Sequence, residues 1–237
     1  DETGAIWAHP YEKSSVGQPV EVASGVDPTA RLLPIGDVDG DDHRDLVVVS
    51  DGGVFMLRGD GRTFSARVPL DLDWGGSQTV TSAGDFDGDG TQDVFSVAEN
   101  GDLQLWRGTG TGRFRAPIVV GWGWSVMDYI SGGADMNGDG AVDVIARDTE
   151  GRLWAYYGRG DGRWAGRMQL GHGWSSMLDV FSPGDFDGGG FADVLALRAN
   201  GALSLYRGRS DGSITTGGSV WDDGFAVAAA AMGATPR

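Results

Sequence analysis

The sequence predicts an all-β protein assembled from a repeated unit of about 50 residues, and three observations support this prediction. The 42 glycines are well above the average share of about 7% and indicate many tight turns. Segments such as DLQLW and ALSLY alternate apolar and polar residues, as half-buried strands do. Four acidic segments also align along the 237-residue chain: GDVDGDDHRDLVVV (36–49), GDFDGDGTQDVFSV (84–97), ADMNGDGAVDVIAR (134–147) and GDFDGGGFADVLAL (184–197).

Each unit is interpreted as four short strands joined by turns. The acidic loop leads into an apolar strand, and a turn such as ENGD (99–102) leads into the next strand, for example LQLWRG. A Gly-rich turn and a further strand, such as RFRAPIVV (113–120), complete the unit. Asn-Gly and Asp-Gly pairs supply the positive φ that hairpin turns require. Four-stranded units at this period are typical of β-propeller blades.

The two ends of the chain predict a fifth blade. DETGAIWAH (1–9) matches DTEGRLWAY (148–156), so the chain begins at the third strand of a unit. AVAAAAMGATPR (226–237) falls in register with the inner strand, although a poly-Ala helix over 226–231 is the alternative. No segment corresponds to DVFSV, so the split blade has three strands or takes residues upstream of Asp1. We therefore predict one domain, 1–237, forming a five-bladed β-propeller with whole blades at about 30–77, 78–127, 128–177 and 178–225, closed by a blade split between 1–29 and 226–237.

Composition excludes several classes of function. The chain has no cysteine, which excludes disulfides and thiolate metal sites. Its net charge of −16 argues against binding to nucleic acid or anionic lipid. No stretch approaches the roughly 18 apolar residues of a membrane span. The first ten residues lack a signal-peptide pattern, so we expect any targeting segment to have been removed already.

The acidic loop begins like an EF-hand but differs from it at two positions. An EF-hand needs a bidentate Glu at position 12, where the four copies have Val48, Ser96, Ala146 and Ala196. An Asp stands instead at position 9 of every copy, and strands rather than helices flank the loop. The pattern D-x-[DN]-x-D-G-x-x-D at blade spacing resembles the FG-GAP/VCBS repeats of integrin-α-type β-propellers, which implies one structural Ca²⁺ per loop.

The resemblance implies side-chain calcium ligands at positions 1, 3, 5 and 9 and a backbone carbonyl at position 7. The fourth loop has Gly189 at position 5, and Ala234 replaces the first Asp in the split blade, so we expect three calcium sites, a weaker fourth and no fifth. Ca²⁺ prefers six to eight oxygen ligands, which alternate carboxylates on a tight loop can supply. The implied ligands are Asp37, Asp39, Asp41, His43 and Asp45; Asp85, Asp87, Asp89, Thr91 and Asp93; Asp135, Asn137, Asp139, Ala141 and Asp143; and Asp185, Asp187 and Asp193.

The loops also account for much of the acidity, since fourteen of the 34 acidic residues stand at these ligand positions. Extracellular calcium modules typically bind at about 10⁻⁴–10⁻³ M, so we expect a secreted or extracellular protein. Solvated acidic turns without metal are the alternative interpretation.

Nothing in the sequence indicates catalysis. None of the three histidines has a recognisable Ser or Cys partner, and no G-x-S-x-G motif occurs. Acidic residues outside the loops do not share a repeat position. Two RGD tripeptides, at 58–60 and 159–161, are explained by turn chemistry. The acidic residues outside the loops that could form a catalytic carboxylate pair are Asp128, Asp179, Asp222 and Asp223. Because they do not share a repeat position, we expect a binding protein rather than an enzyme.

Tryptophans mark the connection from each blade to the next. Trp74, Trp124 and Trp174 each lie eleven residues before the first Asp of the following loop, and Trp122 and Trp221 stand two places further back. One interpretation is packing between blades. The other is a ring of glycan pockets between blades, as in lectins of the resembling family, with exposed Trp rings as platforms. Polar groups for such pockets would be Ser125, Asp128, His172 and Ser175.

We therefore predict a calcium-stabilised, monomeric binding module. Its leading ligand is carbohydrate, bound in a lectin-like manner through repeated pockets. The alternative is a protein-interaction or accessory domain of a secreted hydrolase or protease modulator. Exposed Trp faces favour the first, and one asymmetric apolar patch favours the second.

Overall fold

The computed structural model describes residues 2–9, 11–12, 15–74, 76–77 and 79–221. The chain opens with β1 (Ile6–Ala8), a hairpin of β2 (Tyr11–Glu12) and β3 (Ser15–Val16), and β4 (Val20–Ala23), which pairs antiparallel with β1. In the described part of the chain, no helix is long and apolar enough to span a membrane.

Four antiparallel four-stranded sheets follow, each a simple meander in chain order. Blade 1 contains β5 (Arg31–Pro34), β6 (Leu46–Ser50), β7 (Gly53–Gly59) and β8 (Phe64–Leu70). Blade 2 contains β9 (Thr79–Gly84), β10 (Asp93–Val97), β11 (Leu103–Trp106) and β12 (Ile118–Gly121). Blade 3 contains β13 (Met127–Ala134), β14 (Asp143–Asp148), β15 (Leu153–Gly158) and β16 (Trp164–Gly171). Blade 4 contains β17 (Met177–Gly184), β18 (Asp193–Arg198), β19 (Leu203–Gly208) and β20 (Ile214–Trp221).

These sheets form a β-propeller, as the repeat predicts. The first strands of successive blades contact one another, β5 with β9, β9 with β13 and β13 with β17, so they line the inside of the ring. The described residues form four four-stranded blades, not the predicted five. Of the split blade, only the β1–β4 pair is described, and the predicted partner segment 226–237 lies outside the described residues.

Burial falls from the inside of each blade to the outside, and the sequence pattern follows it. The second strands, such as β10 and β14, are buried on both faces because a neighbouring blade covers each face. The third strands alternate buried and half-buried residues, and the outer strands are mostly exposed. The blades are therefore held together mainly by apolar side chains in the seams between them.

Each seam has its own apolar cluster. One cluster joins blades 1 and 2, a second joins blades 2 and 3, and a third joins blades 3 and 4. A smaller cluster packs the β1–β4 pair against blade 1 through Ala23, Leu46, Val48 and Leu57. The β1–β4 pair thus occupies the place of a preceding blade.

Candidate functional site

The acidic loops connect the first and second strands of each blade, and they bring their carboxylates together. In three loops, one oxygen from each of three aspartates lies within 4.8 Å of the others. The three sets are Asp37, Asp39 and Asp41; Asp85, Asp87 and Asp93; and Asp185, Asp187 and Asp193.

The position-9 aspartates anchor the loop to the blade. Asp93 is fully buried; one of its oxygens accepts from the Phe86 amide (3.1 Å) and the other from the Gly108 amide (2.9 Å). Asp45, Asp143 and Asp193 make the equivalent pair of bonds. Burial, as the largest cause, raises the pKa of both Asp93 and Asp143 to about 6. The fixed carboxylate therefore joins the loop to the end of the third strand.

The position-1 aspartates close the loop on itself. Asp37 accepts from the amides of Gly40 (2.7 Å) and Asp42 (2.8 Å). Asp42 takes a positive φ of 68°, whereas the three other loops have glycine at this position, with φ between 86° and 90°. The first loop therefore holds a non-glycine residue in the left-handed region, where an L side chain is strained.

The loop chemistry fits a hard divalent cation. The Asp39 carboxylate is 4% exposed and its Oδ1 has no hydrogen-bond donor, and Asp85 Oδ1 is likewise buried without a donor. A buried carboxylate oxygen without a partner is unfavourable, and a bound cation removes that cost. The residues that would hold Ca²⁺ are those at positions 1, 3 and 5 together with the position-9 carboxylate. The ion would neutralise the clustered carboxylates.

In three blades an arginine also reaches the position-3 carboxylate, a contact that was not predicted from the sequence. Arg58 Nε lies 2.7 Å from Asp39 Oδ2, Arg107 Nε lies 4.0 Å from Asp87 Oδ2, and Arg207 bonds Asp187. In blade 3 the same repeat position holds Tyr157, and position 3 holds the neutral Asn137. The residue before the glycine at or just after the end of the third strand is thus arginine where position 3 is charged and tyrosine where position 3 is neutral. The sequence shows this difference between the repeats in the third-strand segments LRG, WRG, YYG and YRG.

The acidic loops also contact the next blade. The Val38 carbonyl accepts from the Gly112 amide (2.9 Å), and the Phe86 carbonyl accepts from the Gly162 amide (3.1 Å). A Cβ at Gly88 would lie 2.3 Å from the Gly160 carbonyl oxygen, so the second RGD turn packs against the second acidic loop. In the first RGD tripeptide, Gly59 is buried at the end of β7. Both tripeptides therefore have structural roles.

The structure separates the predicted tryptophans into two groups. Trp74, Trp124 and Trp174 are 0%, 5% and 6% exposed and fill the three seams between blades. Trp124 lies 4.6 Å from the Tyr156 ring, centroid to centroid, in the next blade. These three rings agree with the packing interpretation and offer no open face. Trp122, two residues before Trp124, is 78% exposed.

The remaining candidate residues have diverse surroundings. Ser125, His172 and Ser175 are exposed, on the same short connection as Trp122 or its counterpart in the following blade. Asp128 pairs with Arg147 at 2.8 Å, and Asp179 is buried with Tyr129 as a side-chain partner, so neither is an accessible free carboxylate. The Trp221 side chain and residues Asp222 and Asp223 lie outside what the structure describes.

Comparison with known proteins gives a family and a set of similar folds. A family model described as FG-GAP-like repeat matches residues 37–96, 85–132 and 135–196. No curated protein has a detectably similar sequence.

Solved structures, two of them described as lectins, resemble the chain in fold. A lectin of Agrocybe aegerita described as recognising non-reducing terminal N-acetylglucosamine matches with 21% identity and a TM-score of 0.58, over 92% of this chain and 60% of its own. The BP39L lectin from Burkholderia pseudomallei matches with 18% identity and a TM-score of 0.58, over 92% and 64%. A triple mutant of AofleA from Arthrobotrys oligospora matches with 13% identity and a TM-score of 0.54, over 90% and 64%. The chain thus spans 60–64% of the length of these structures.

Proposed function

The chain belongs to the FG-GAP-like repeat family, and from this premise we propose that it is a secreted, calcium-stabilised propeller that binds glycans. The observation that carries the glycan proposal is the exposed Trp122 ring. A fully packed Trp ring stands two residues away, so burying Trp122 is not required to close the seam. An exposed indole offers a flat apolar face and an N–H donor, which suits the apolar face and hydroxyl groups of a sugar ring.

Repetition supports the same proposal. His172 occupies the position of Trp122 in the following blade and is exposed there, and Ser125 and Ser175 stand three residues beyond these two positions. Two weak sites on neighbouring blades would gain affinity for a branched or polymeric glycan through effective concentration. The similar folds of the Agrocybe aegerita and Burkholderia pseudomallei lectins are consistent with this use of the scaffold, although fold alone does not carry it.

The calcium part of the proposal rests on the unpartnered oxygens of Asp39 and Asp85 and on the seam contacts of the loops. Ions held there would stabilise the loop against which the next blade packs. The loops are therefore proposed as scaffolding, separate from the Trp122 surface.

We also propose that the ring has a fifth blade. In blades 1 to 3, the second residue after the position-9 Asp packs into the seam with the following blade, as Val47 and Ile145 do. Leu195 is the equivalent in blade 4 and belongs to a cluster with Leu197, Leu203 and Leu205. A fifth blade made partly of the β1–β4 pair would cover this face.

One observation favours a protein partner as the second candidate. Ile118 and Val119 on β12, and Trp122 and Val126 on the connection that follows it, are all exposed within nine residues of chain. Several exposed apolar side chains close together in the chain favour a protein-binding surface.

A glycan array in millimolar Ca²⁺, with calorimetric follow-up, tests the proposal. We expect Trp122→Ala to weaken binding at least tenfold and Trp7→Ala, the matched exposed control at 44% exposure, to leave it unchanged. Absence of binding to every glycan would refute the lectin function. If Trp122→Ala instead abolished capture of a secreted protein, the second candidate would stand.

A further inference from the structure

The arginines that face the acidic loops occupy one position of the repeat. Arg58, Arg107 and Arg207 each precede the glycine whose amide donates to the position-9 carboxylate of the same blade, at 2.8–3.0 Å. This bond fixes the backbone beside the loop, and in all three blades the preceding arginine extends to the position-3 carboxylate. The contact therefore belongs to the design of the repeat and is not an isolated surface pairing.

Position 3 and the arginine position together carry no net charge in any of the four acidic loops. Where position 3 is Asp, in the first, second and fourth loops, the arginine position holds Arg. Where position 3 is the neutral Asn137, it holds Tyr157. A carboxylate and a guanidinium are thus present together or absent together, which indicates that the arginine is matched to the charge of the carboxylate.

In the first loop the arginine pairs with a carboxylate that is almost inaccessible to water. Arg58 Nε lies 2.7 Å from Asp39 Oδ2, and the Asp39 side chain is 4% exposed whereas that of Arg58 is 49% exposed. A carboxylate with so little access to water is stabilised by a nearby cation, which the guanidinium supplies. The other oxygen, Asp39 Oδ1, has no hydrogen-bond donor. Arg58 and a calcium ion would therefore share one carboxylate.

Sharing a ligand with a guanidinium lowers the affinity of a loop for a divalent cation. The guanidinium repels the ion and offsets the negative charge of one of its ligands, and the calcium affinity of loop sites depends on ligand charge. The same guanidinium reduces the mutual repulsion of the clustered carboxylates. An arginine at this position thus stabilises the loop and weakens its binding of Ca²⁺ at the same time.

We propose that Arg58, Arg107 and Arg207 set the calcium affinity of their loops by cancelling the charge of the position-3 carboxylate. Each acts as an internal cation that limits how tightly its loop binds Ca²⁺ and how far the blade depends on the ion. This inference rests on the calcium part of the proposed function, and it adds the residues that determine the strength of binding.

The first loop allows the cleanest test. The second loop has another arginine, Arg115, 3.9 Å from Asp89 Oδ2, and the fourth loop lacks the position-5 carboxylate. Arg58→Gln removes the charge, and Arg58→Lys retains it. A Ca²⁺ titration followed by two-dimensional ¹H–¹⁵N NMR gives a Kd for each loop from its own amide resonances, so the other three loops serve as internal controls.

We expect Arg58→Gln to lower the Kd of the first loop for Ca²⁺ at least threefold and to leave the Kd of the other loops unchanged. Arg58→Lys should keep the wild-type Kd, because the charge remains beside Asp39. Arg107→Gln should lower the Kd of the second loop by a smaller factor, since Arg107 Nε lies 4.0 Å from Asp87 Oδ2.

Arg198→Gln is the matched control for net charge. Arg198 ends β18, five residues after Asp193, which corresponds to about 17 Å along the strand. Because this distance exceeds the screening length of about 8 Å at physiological ionic strength, the substitution should leave the Kd of all loops unchanged.

Melting temperature measures the stabilising half of the proposal. In chelator, Arg58→Gln should melt at a lower temperature than Arg58→Lys, because the first loop loses its internal cation. In saturating Ca²⁺ this difference should shrink, since the bound ion then offsets the repulsion between the carboxylates.

The outcomes separate this proposal from the proposed function. An unchanged or higher Kd of the first loop in Arg58→Gln, an equal decrease in Arg58→Lys or Arg198→Gln, or equal melting temperatures of the Gln and Lys variants in chelator would overturn the proposal alone. If Ca²⁺ shifted no loop resonance of the wild-type protein, both this proposal and the calcium part of the proposed function would be overturned.

Discussion

Trp124→Ala tests whether the buried tryptophans hold the blades together. Trp124 is 5% exposed, and its ring centroid lies 4.6 Å from that of Tyr156 and 5.9 Å from that of Trp164, both in the following blade. Truncating it removes a large apolar surface and both aromatic contacts, and it leaves a cavity in the seam between blades 2 and 3.

The expected loss follows from this burial. A fully buried Trp→Ala change costs about 3–5 kcal/mol. In a domain of this size, each 1 kcal/mol corresponds to about 2–4 °C in melting temperature, so we expect a decrease of about 6–20 °C. The matched control is Trp122→Ala, because this residue is 78% exposed and exposed substitutions usually stay within about 0.5 kcal/mol.

Urea unfolding of both variants in saturating Ca²⁺, monitored by far-UV circular dichroism, measures how much each substitution lowers the free energy of unfolding. Far-UV detection is preferable to fluorescence because each variant removes a fluorophore. A loss below about 1 kcal/mol for Trp124→Ala, or equal losses for the two variants, would refute the assignment of Trp124 to the seam.

Three further predictions concern the acidic loops. Asp42→Gly should stabilise the protein by about 1 kcal/mol in urea unfolding, since Asp42 has a positive φ of 68° where the other loops have glycine; a loss of stability would contradict the strain argument. Gly189→Asp should supply the missing position-5 ligand and lower the Kd of the fourth loop for Ca²⁺ in calorimetry, and an unchanged titration would count against the ligand set. In chelator, the free energy of unfolding should fall as pH rises from about 4 to about 6, because the folded-state pKa of Asp93 and Asp143 is about 6, above the value of about 3.9 in unfolded chains. This contribution is complete below the unfolded-state pKa and is lost as pH rises through the folded-state pKa, so a stability that rises over this window would contradict it.

Much of the fold could be predicted because the repeat is encoded in short-range patterns. The Asp at position 9 distinguishes this loop from an EF-hand, and in the structure it bonds the end of the third strand of its own blade. Strand order within a blade follows from the short turns, since consecutive strands joined this way pair with each other. The fifth blade depends on the closing segment 226–237, which lies outside the described residues.

The roles of the tryptophans could not be separated by spacing alone. Trp122 and Trp124 stand in one five-residue segment, GWGWS, and both belong to the blade connection. Which of them is buried depends on the direction of the chain after Gly121 and on the Tyr156 ring of the next blade, which is a tertiary contact. A spacing argument gives the location of a residue along a repeat but not the side that its ring faces.

A cavity lies between the β1–β4 pair and blade 1, and its position could have been found from sequence. Extending the eleven-residue rule to the first acidic loop identifies Val26, and aligning the third strands identifies Leu57. An aliphatic pair where three other units have aromatic pairs predicts missing volume. The polar surroundings of that volume, including the Arg67 guanidinium over Phe55, required the structure.

Calcium is proposed to act as structural support for the blades, and the melting temperature in Ca²⁺ compared with that in chelator measures this most directly. Each loop site at ten times its Kd contributes about 1.4 kcal/mol, so three occupied sites would contribute about 4 kcal/mol. For a domain of this size, this predicts a melting temperature about 8–17 °C higher in millimolar Ca²⁺ than in chelator. An unchanged melting temperature would contradict the account, because the acidic loops would then be solvated turns that hold no structural ion.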